Sequence, residues 1–202
     1  MLTEKERDRL LRIDTMHSVE SIRHTQHYHI YEATPYETLD KLFDQWEIQR
    51  NGTLVDFGCG KGRILFYVHH YFHIPVTGVE MDPFLYRRAL MNESSYLQKY
   101  KKVKEPIRVV QQFAEAYPVE KEDTTFFFFN PFSIEIFKIV IQNIVTSIEE
   151  HPRVVELMLY YPSKAYRVFL EEETPFECVQ EVVFDAAFDE DERERFMIYR
   201  HV

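Results

Sequence analysis

The chain has 202 residues, of which 45% are hydrophobic and 15% aromatic, so it can bury the core of one folded domain. The formal net charge is −10, which disfavours a nucleic-acid partner because such binding depends on lysine and arginine neutralising phosphates. No apolar run approaches the ~18 residues of a membrane-spanning helix, and Cys59 and Cys178 show no paired metal spacing. We therefore expect a cytoplasmic protein with free thiols and no membrane partner.

The N-terminal residues predict a helical extension ahead of the main domain. A charged helix is expected over residues 3–21. A second helix should begin at Pro35, with Thr34 as its N-cap. We assign residues 1–50 to this extension, as a lid, and residues 51–202 to the ligand-binding domain, with both forming one compact unit.

Strand and helix patterns alternate through the rest of the chain. Strands are predicted at Thr53–Phe57, Val76–Met81, Ile107–Gln111, Thr124–Phe129 and Val154–Tyr161. Helices are predicted at Arg63–His73, Phe84–Tyr100, Lys164–Glu172 and from the N-cap Ser133 to Glu150. Two final strands, Phe176–Phe184 and Arg195–Val202, follow without a helix between them. The alternation predicts an α/β fold of three α-β-α layers, with a mostly parallel sheet that ends in a C-terminal antiparallel hairpin.

A glycine loop follows the first predicted strand, in Asp56-Phe57-Gly58-Cys59-Gly60-Lys61-Gly62. It holds three of the chain's five glycines, where backbone must turn tightly and approach a ligand closely. Glu80 ends the second strand about 20 residues later, where it can accept hydrogen bonds from ribose hydroxyls. The G-x-G-x-G spacing departs from the G-x-G-x-x-G of dinucleotide loops, and Asp56 would repel a pyrophosphate but attract a sulfonium or an ammonium. The loop therefore favours a methyl donor over a nicotinamide dinucleotide.

These two segments resemble the first and second motifs of the class I S-adenosylmethionine-dependent methyltransferases, which share a Rossmann-like, seven-stranded sheet. The resemblance implies that the backbone of Gly58 and Gly60 lies under the methionine part of S-adenosylmethionine. It further implies that Glu80 binds the ribose and Met81 lies against the adenine. Gln112 stands near the place where many relatives carry an adenine-binding aspartate. The cofactor-binding residues expected in these segments are Asp56, Gly58, Cys59, Gly60, Gly62, Glu80, Met81 and Gln112.

A turn with candidate catalytic residues follows the aromatic fourth strand, in Asn130-Pro131-Phe132-Ser133. It resembles the Asn-Pro-Pro-aromatic motif of methyltransferases that act on planar nitrogens, with Phe132 in place of the second proline. We therefore expect Asn130, Pro131 and Phe132 at the transferred methyl, with Asn130 also contacting the cofactor and Phe132 stacking on the acceptor. The alternative interpretation is a turn in which Asn130 caps the next helix.

Four tyrosines are further candidates. Tyr160 and Tyr161 end the fifth strand and are predicted to line the catalytic rim, where they orient or deprotonate the acceptor. Tyr31 and Tyr36 belong to the N-terminal extension and are predicted to close over the cofactor.

The histidines give no metal site in this interpretation. No cysteine or suitably spaced carboxylate completes the cluster of His24, His27 and His29, so no metal is expected. His69 and His73 lie one helical turn apart and are expected at the surface or rim of their helix.

The sequence thus predicts S-adenosylmethionine-dependent methyl transfer, with a small-molecule or protein acceptor favoured over nucleic acid and a nitrogen among the candidate acceptor atoms. A protein that binds S-adenosylmethionine without catalysis, as a sensor or scaffold, is the first alternative. An NAD(P)-dependent oxidoreductase is the second and is less favoured by the glycine spacing.

Overall fold

The computed structural model describes residues 2–16, 31–184 and 189–201. The strands are β1 Thr53–Phe57, β2 Val76–Glu80, β3 Ile107–Gln111, β4 Asp123–Phe129, β5 Val155–Tyr160, β6 Glu177–Val183 and β7 Arg195–His201. The helices are α1 Glu4–Leu11, α2 Tyr36–Gln45, α3 Arg63–Phe72, α4 Pro83–Lys99, α5 Ile134–Glu150 and α6 Lys164–Glu173, with a 3-10 turn at Ala114–Ala116. None of the helices in these described ranges is long and apolar enough to cross a membrane.

The strands form one seven-stranded sheet in the order β3-β2-β1-β4-β5-β7-β6. The first five strands of the chain pair in parallel, whereas β7 is antiparallel to both β5 and β6. The predicted α/β fold with its C-terminal antiparallel hairpin is confirmed. Phe57 of β1 pairs with Val79 of β2 and with Phe128 of β4, so the carboxyl ends of these three strands meet at one edge.

The aromatic strand β4 supplies both layers of the core. Phe127 packs into the cluster that includes α1 to α4, whereas Phe126 and Phe128 pack into the cluster that includes α5 and α6. Side chains of consecutive strand residues point to opposite faces, so a run of phenylalanines requires helices on both sides. Strand β4 is therefore buried from both faces of the sheet.

The first helix is shorter than the sequence predicts. It ends at Leu11, and Arg12 adopts a left-handed conformation with φ of 60°. The prediction of a helix is wrong for residues 12–16, and residues 17–21 lie outside the described ranges. The physical reason is the buried carboxylate of Asp8, which accepts hydrogen bonds from the backbone nitrogen and Oγ1 of Thr15 at 2.6 and 2.8 Å. These bonds turn the chain back toward the helix.

The second helix begins at Tyr36, one residue later than predicted, with Pro35 rather than Thr34 at the N-cap position. Its buried residues Leu39 and Leu42 share a core cluster with Leu65 of α3. The N-terminal extension therefore packs directly against the helix that follows the glycine loop.

Candidate functional site

The glycine loop has the backbone that its sequence predicts. Gly58, Gly60 and Gly62 have positive φ values of 75°, 55° and 86°, a region that other residues rarely adopt. A Cβ on Gly58 would lie 2.8 Å from the Cβ of Pro131, and one on Gly60 would lie 2.2 Å from the ring of Tyr31. The loop is therefore packed against the turn after β4 on one side. On the other side it is packed against residues 31–34, the N-terminal segment that precedes α2.

Two buried carboxylates flank this loop. Asp56 in β1 and Glu80 at the end of β2 are each 6% exposed. The Oε2 of Glu80 accepts a hydrogen bond from the backbone nitrogen of Gly60 at 2.9 Å, and its Oε1 accepts one from Asp82 at 2.8 Å. Glu80 thus holds the glycine loop against the start of α4.

Burial controls the ionisation of both carboxylates. Desolvation and the charge of Glu80 raise the pKa of Asp56 to about 8. Desolvation also raises the pKa of Glu80 to about 7, although the backbone N–H groups that it binds act in the opposite direction. Two adjacent buried carboxylates favour a positively charged ligand, because a cation stabilises both of their ionised forms.

The N-terminal segment covers the loop. Tyr31 donates a hydrogen bond from its hydroxyl to the carbonyl oxygen of Thr15 at 2.9 Å, which fixes its ring over Gly60. The cavity under this segment has a volume of about 20 Å³, which is room for about one water molecule. Its wall is formed by Tyr31, Glu32, Ala33, Thr34, Asp56, Gly58, Cys59, Arg63, Ile64, Phe127 and Phe129. The structure therefore brings Tyr31, Asp56, Gly58 and Cys59 together at one cavity, and their contact with a cofactor stays a prediction.

Arg63 is not among the site residues predicted from the sequence, and it joins α1, the chain after α1 and the segment before α2 to the glycine loop. Its Nε donates to the Oγ1 of Thr15 at 2.7 Å, and its Nη1 donates to the carbonyl oxygen of Thr34 at 3.0 Å and to the carboxylate of Glu4. The signal was present in the sequence, because a cation at the start of an otherwise apolar helix opposes the helix dipole and requires anionic partners. The partners of Arg63 lie 29 to 59 positions away along the chain, so they cannot be inferred from spacing.

Tyr36 does not line the cavity, although it was predicted to close over the cofactor. It is buried, its hydroxyl donates to Asp8 at 2.7 Å, and its ring lies 4.3 Å from the guanidinium carbon of Arg63. The interpretation of Tyr36 as a lid does not agree with this placement, because the side chain packs between α1 and α3.

The end of β3 lies beside the end of β2. The backbone nitrogen of Gln112 donates to the carbonyl oxygen of Glu80 at 3.1 Å. The Nε2 of Gln112 is buried and has no hydrogen-bond partner among the described residues. Met81 is partly exposed at the same edge. Gln112 and Met81 therefore lie at the same edge of the sheet as Glu80, and their contact with an adenine stays a prediction.

In the turn after β4, Pro131 lies at the glycine loop, whereas Phe132 points into the core. Asn130 has a left-handed backbone with φ of 40°, and Pro131 packs against Gly58. Phe132, in contrast, is buried in the core beside Phe137, and its carbonyl oxygen accepts a hydrogen bond from the hydroxyl of Tyr166. The expectation that Phe132 stacks on an acceptor does not agree with this placement.

Tyr160 and Tyr161 lie at the carboxyl edge of β5 and are tied to the connection before β7. The hydroxyl of Tyr160 donates to Glu194 at 2.8 Å, and the hydroxyl of Tyr161 donates to Asp191. Burial and the bond to Glu194 raise the pKa of Tyr160, and the bond to Asp191 raises the pKa of Tyr161. Both phenols therefore stay protonated near neutral pH. The ring of Phe129, which lines the cavity, lies 4.6 Å from that of Tyr160.

The structure describes only some of the histidines considered from the sequence. His24, His27 and His29 lie outside the described ranges. Within those ranges no three His, Cys, Asp or Glu side chains are grouped as metal ligands. His69 is buried, not at the surface as predicted, because its ring nitrogens bond to the hydroxyl of Tyr96 at 3.0 Å and to a backbone oxygen at 2.9 Å.

Solved structures with this fold include S-adenosylmethionine enzymes. The chain is similar to an RNA methyltransferase from Salinibacter ruber solved with S-adenosyl-L-homocysteine, at 16% identity over 84% of this chain and 92% of that one, with a TM-score of 0.55. It is also similar to a SAM-dependent methyltransferase from Methanosarcina mazei, at 13% identity over 77% and 94% of the two chains, with a TM-score of 0.56. A third similar structure is a protein of the NADB-Rossmann superfamily from Streptococcus agalactiae, at 16% identity over 84% and 68%, with a TM-score of 0.55. No protein-family model and no curated protein sequence matches the chain. At these identities the likeness confirms the Rossmann-like, seven-stranded fold.

Proposed function

We propose that this protein is an S-adenosylmethionine-dependent methyltransferase. The observation that carries the proposal is the glycine loop, where three left-handed glycines lie beside the buried carboxylates of Asp56 and Glu80. Open α/β sheets bind ligands at the carboxyl ends of their strands, and this loop lies at that edge.

The residues at this edge suit the parts of S-adenosylmethionine. The ammonium and sulfonium charges favour the ionised form of Asp56, whereas a pyrophosphate would be repelled. Glu80 keeps lone pairs beyond the two backbone N–H groups that it accepts, and these suit the ribose hydroxyls. The buried Nε2 of Gln112 suits a ring nitrogen of adenine, because a buried donor is stabilised by an acceptor.

The N-terminal segment has two functions in this proposal. The present cavity of about 20 Å³ is too small for a nucleoside, so residues 31–34 must move outward for the cofactor to enter. Once they return, Tyr31 covers the ligand and excludes water. S-adenosylmethionine supplies a methyl group on an activated sulfonium. The task of the protein's own residues is therefore to hold the acceptor in line and to keep water out.

We further propose that the acceptor is a small molecule or a protein, with a nitrogen among the candidate atoms. Asp191 and Glu194 stand beside Tyr160 and Tyr161, and negative charge at this edge disfavours a phosphate backbone. The RNA acceptor in the name of the Salinibacter ruber enzyme is for this reason not extended to this chain. Because the two phenols are protonated near neutral pH, they orient the acceptor rather than deprotonate it.

Calorimetry with four ligands tests the cofactor. S-adenosylmethionine and S-adenosylhomocysteine should bind, whereas NAD and NADP should give no heat of binding. Tight binding of NAD without binding of the methyl donor would contradict the proposal and favour the oxidoreductase alternative.

A non-catalytic protein that binds S-adenosylmethionine is the second candidate. The observation in its favour is that three predicted catalytic side chains are already engaged elsewhere: Phe132 in the core, and Tyr160 and Tyr161 on carboxylates. The two candidates differ in turnover, which is measured by transfer of labelled methyl from the donor to fractions of a cell lysate.

Asn130→Gly sharpens this turnover experiment. Glycine tolerates the left-handed backbone of this position, so the change removes the amide with little backbone strain. The affinity for S-adenosylhomocysteine should change less than about twofold, whereas methyl transfer should fall about 100-fold because a misplaced acceptor loses alignment. Equal transfer by wild type and Asn130→Gly would make the turn a structural element only. Tight donor binding without transfer by the wild type would favour the sensor.

A further inference from the structure

A second cavity lies at the opposite edge of the sheet from the glycine loop. It is open, has a volume of about 560 Å³, and is formed where α4 ends and the chain returns to β3. Because α4 begins beside Glu80 at the carboxyl edge and runs the length of the sheet, this cavity is remote from the proposed catalytic site. Its lining consists of His73, Gln98, Lys99, Tyr100, Lys101, Lys102, Val103, Lys104 and Glu105.

The charge of this cavity is opposite in sign to that of the chain. Four lysines line it against one glutamate, Glu105, in a protein with a net charge of −10. The C-terminal end of α4 contributes a partial negative charge equivalent to only about half an elementary charge. The negative end of the helix therefore balances only a small part of the positive charge of the four lysines.

Three of the four lysines have no ion-pair partner among the residues that the structure describes. Lys101, Lys102 and Lys104 are exposed and form no ion pair within the described residues. In contrast, Lys41, Lys121 and Lys138 each lie within 4 Å of a glutamate, at 3.1, 3.7 and 2.9 Å. Among the described residues, Glu105 is the one acidic side chain in the lining of this cavity.

The rim of the cavity is held by fixed contacts. The Nζ of Lys99 and the hydroxyl of Tyr100 both donate to the carbonyl oxygen of Leu10, at 2.8 and 2.7 Å, so the end of α1 braces the end of α4. His70, 4.7 Å from the ring of Tyr100, has a pKa lowered first by burial and then by the charges of His73 and Lys99. The positive charges of the neighbouring groups thus disfavour protonation of this partly buried histidine.

We propose that this cavity binds the phosphate groups of a polyanion, independently of methyl transfer. Lysine ammonium groups are mobile point charges that bind phosphate without demanding one geometry. The two sources of such phosphates are a small polyphosphate and the backbone of a nucleic-acid strand. Bound here, a strand would be a docking partner and not the methyl acceptor, because the glycine loop is at the other edge.

Two probes distinguish these sources: inorganic tripolyphosphate, followed by calorimetry, and a fluorescent single-stranded oligoribonucleotide of 12 nucleotides, followed by anisotropy. The test variant is Lys101→Gln/Lys102→Gln/Lys104→Gln. The control is Lys121→Gln/Lys138→Gln/Lys164→Gln, which changes the net charge by the same amount on other surfaces. S-adenosylhomocysteine binding should be equal in both variants, which shows that both are folded.

The wild type and the control should bind at least one probe, and the test variant should bind it at least 10-fold more weakly. A strand that contacts about three phosphates should lose roughly 20-fold in affinity between 50 and 200 mM salt, and the test variant should lose most of this dependence. Binding of tripolyphosphate alone assigns a small ligand, and binding of the strand alone assigns a nucleic acid; both support the proposal. Equal binding by the two variants, or no binding of either probe at 50 mM salt, overturns it.

Discussion

Glu80 shows how one side chain serves both the fold and the proposed ligand. Its two carboxylate oxygens each accept a backbone N–H group, one from the glycine loop and one from the start of α4. A glutamine of the same shape has only one oxygen acceptor, and its amide nitrogen would face an N–H donor. Two oxygen acceptors, and not only the shape of the side chain, are therefore required at this position.

Glu80→Gln should weaken S-adenosylhomocysteine binding at least about 10-fold, because hydrogen bonds to a charged group contribute about 1.5–3 kcal/mol each. Calorimetry measures the change, and circular dichroism checks that the fold is kept. Glu93→Gln is the matched control, since Glu93 is a half-buried carboxylate within α4 and does not lie at the carboxyl end of a strand. Unchanged affinity in a folded Glu80→Gln protein would move the ribose contact to another residue.

Residues whose role depends on local backbone could be predicted from the sequence. Gly58, Gly60 and Glu80 occupy the expected places because strand, turn and helix fix them within a short segment. Phe132 and Tyr36 could not be placed, because their burial depends on Tyr166 and Asp8, which are distant along the chain. An apolar or aromatic side chain after a strand suits a binding wall and a core equally well.

At the scale of elements, α1 and α3 are joined through one guanidinium. Arg63 is 5% exposed and binds acceptors on α1, on the chain that follows it and on the segment before α2. The boundaries of α3 were predicted closely because its apolar pattern is local. The early end of α1 was not, because Asp8 binds Thr15 only in the folded chain.

Arg63→Met should lower the free energy of unfolding by about 3 kcal/mol, because it leaves the carboxylates of Glu4 and Asp8 without their shared cation. Urea denaturation followed by tryptophan fluorescence measures this change. S-adenosylhomocysteine affinity should also fall, since Tyr31 loses the support of Thr15 over the glycine loop.

The control for this prediction is Arg108→Met, which removes a half-exposed pair with Glu120 and should cost at most about 1 kcal/mol. If Arg63→Met and Arg108→Met destabilise the protein equally, the buried contact between α1 and α3 contributes no more to the free energy of unfolding than a half-exposed ion pair.

At the scale of the whole molecule, several buried carboxylates share one direction of pKa change. Burial raises the pKa of Asp123, at the other edge of the sheet, to about 6, in addition to the rise at Asp56 and Glu80. In the unfolded chain these groups ionise near pH 4. These three carboxyl groups therefore bind more protons in the folded protein than in the unfolded chain between about pH 4 and pH 8.

The free energy of unfolding should consequently fall as pH rises through this window, because stability decreases with pH wherever the folded state binds more protons. With folded pKa values of about 8 for Asp56 and about 7 for Glu80, the stability that these two groups contribute should fall by about 4 kcal/mol between pH 6 and pH 8. Urea denaturation at several pH values measures it.

Asp56→Asn should remove more than half of this loss, because it deletes one titrating group and relieves the other of a neighbouring charge. Asp44→Asn, at an exposed carboxylate of α2, should leave the loss unchanged.

S-adenosylmethionine should stabilise the wild type more at pH 8 than at pH 6, because its positive charges favour the ionised pair of Asp56 and Glu80. A ligand stabilises the folded state more when its affinity for that state is higher. A free energy of unfolding that rises from pH 6 to pH 8 in the unliganded wild type would contradict the raised pKa values, and with them the case for a cationic ligand beside the glycine loop.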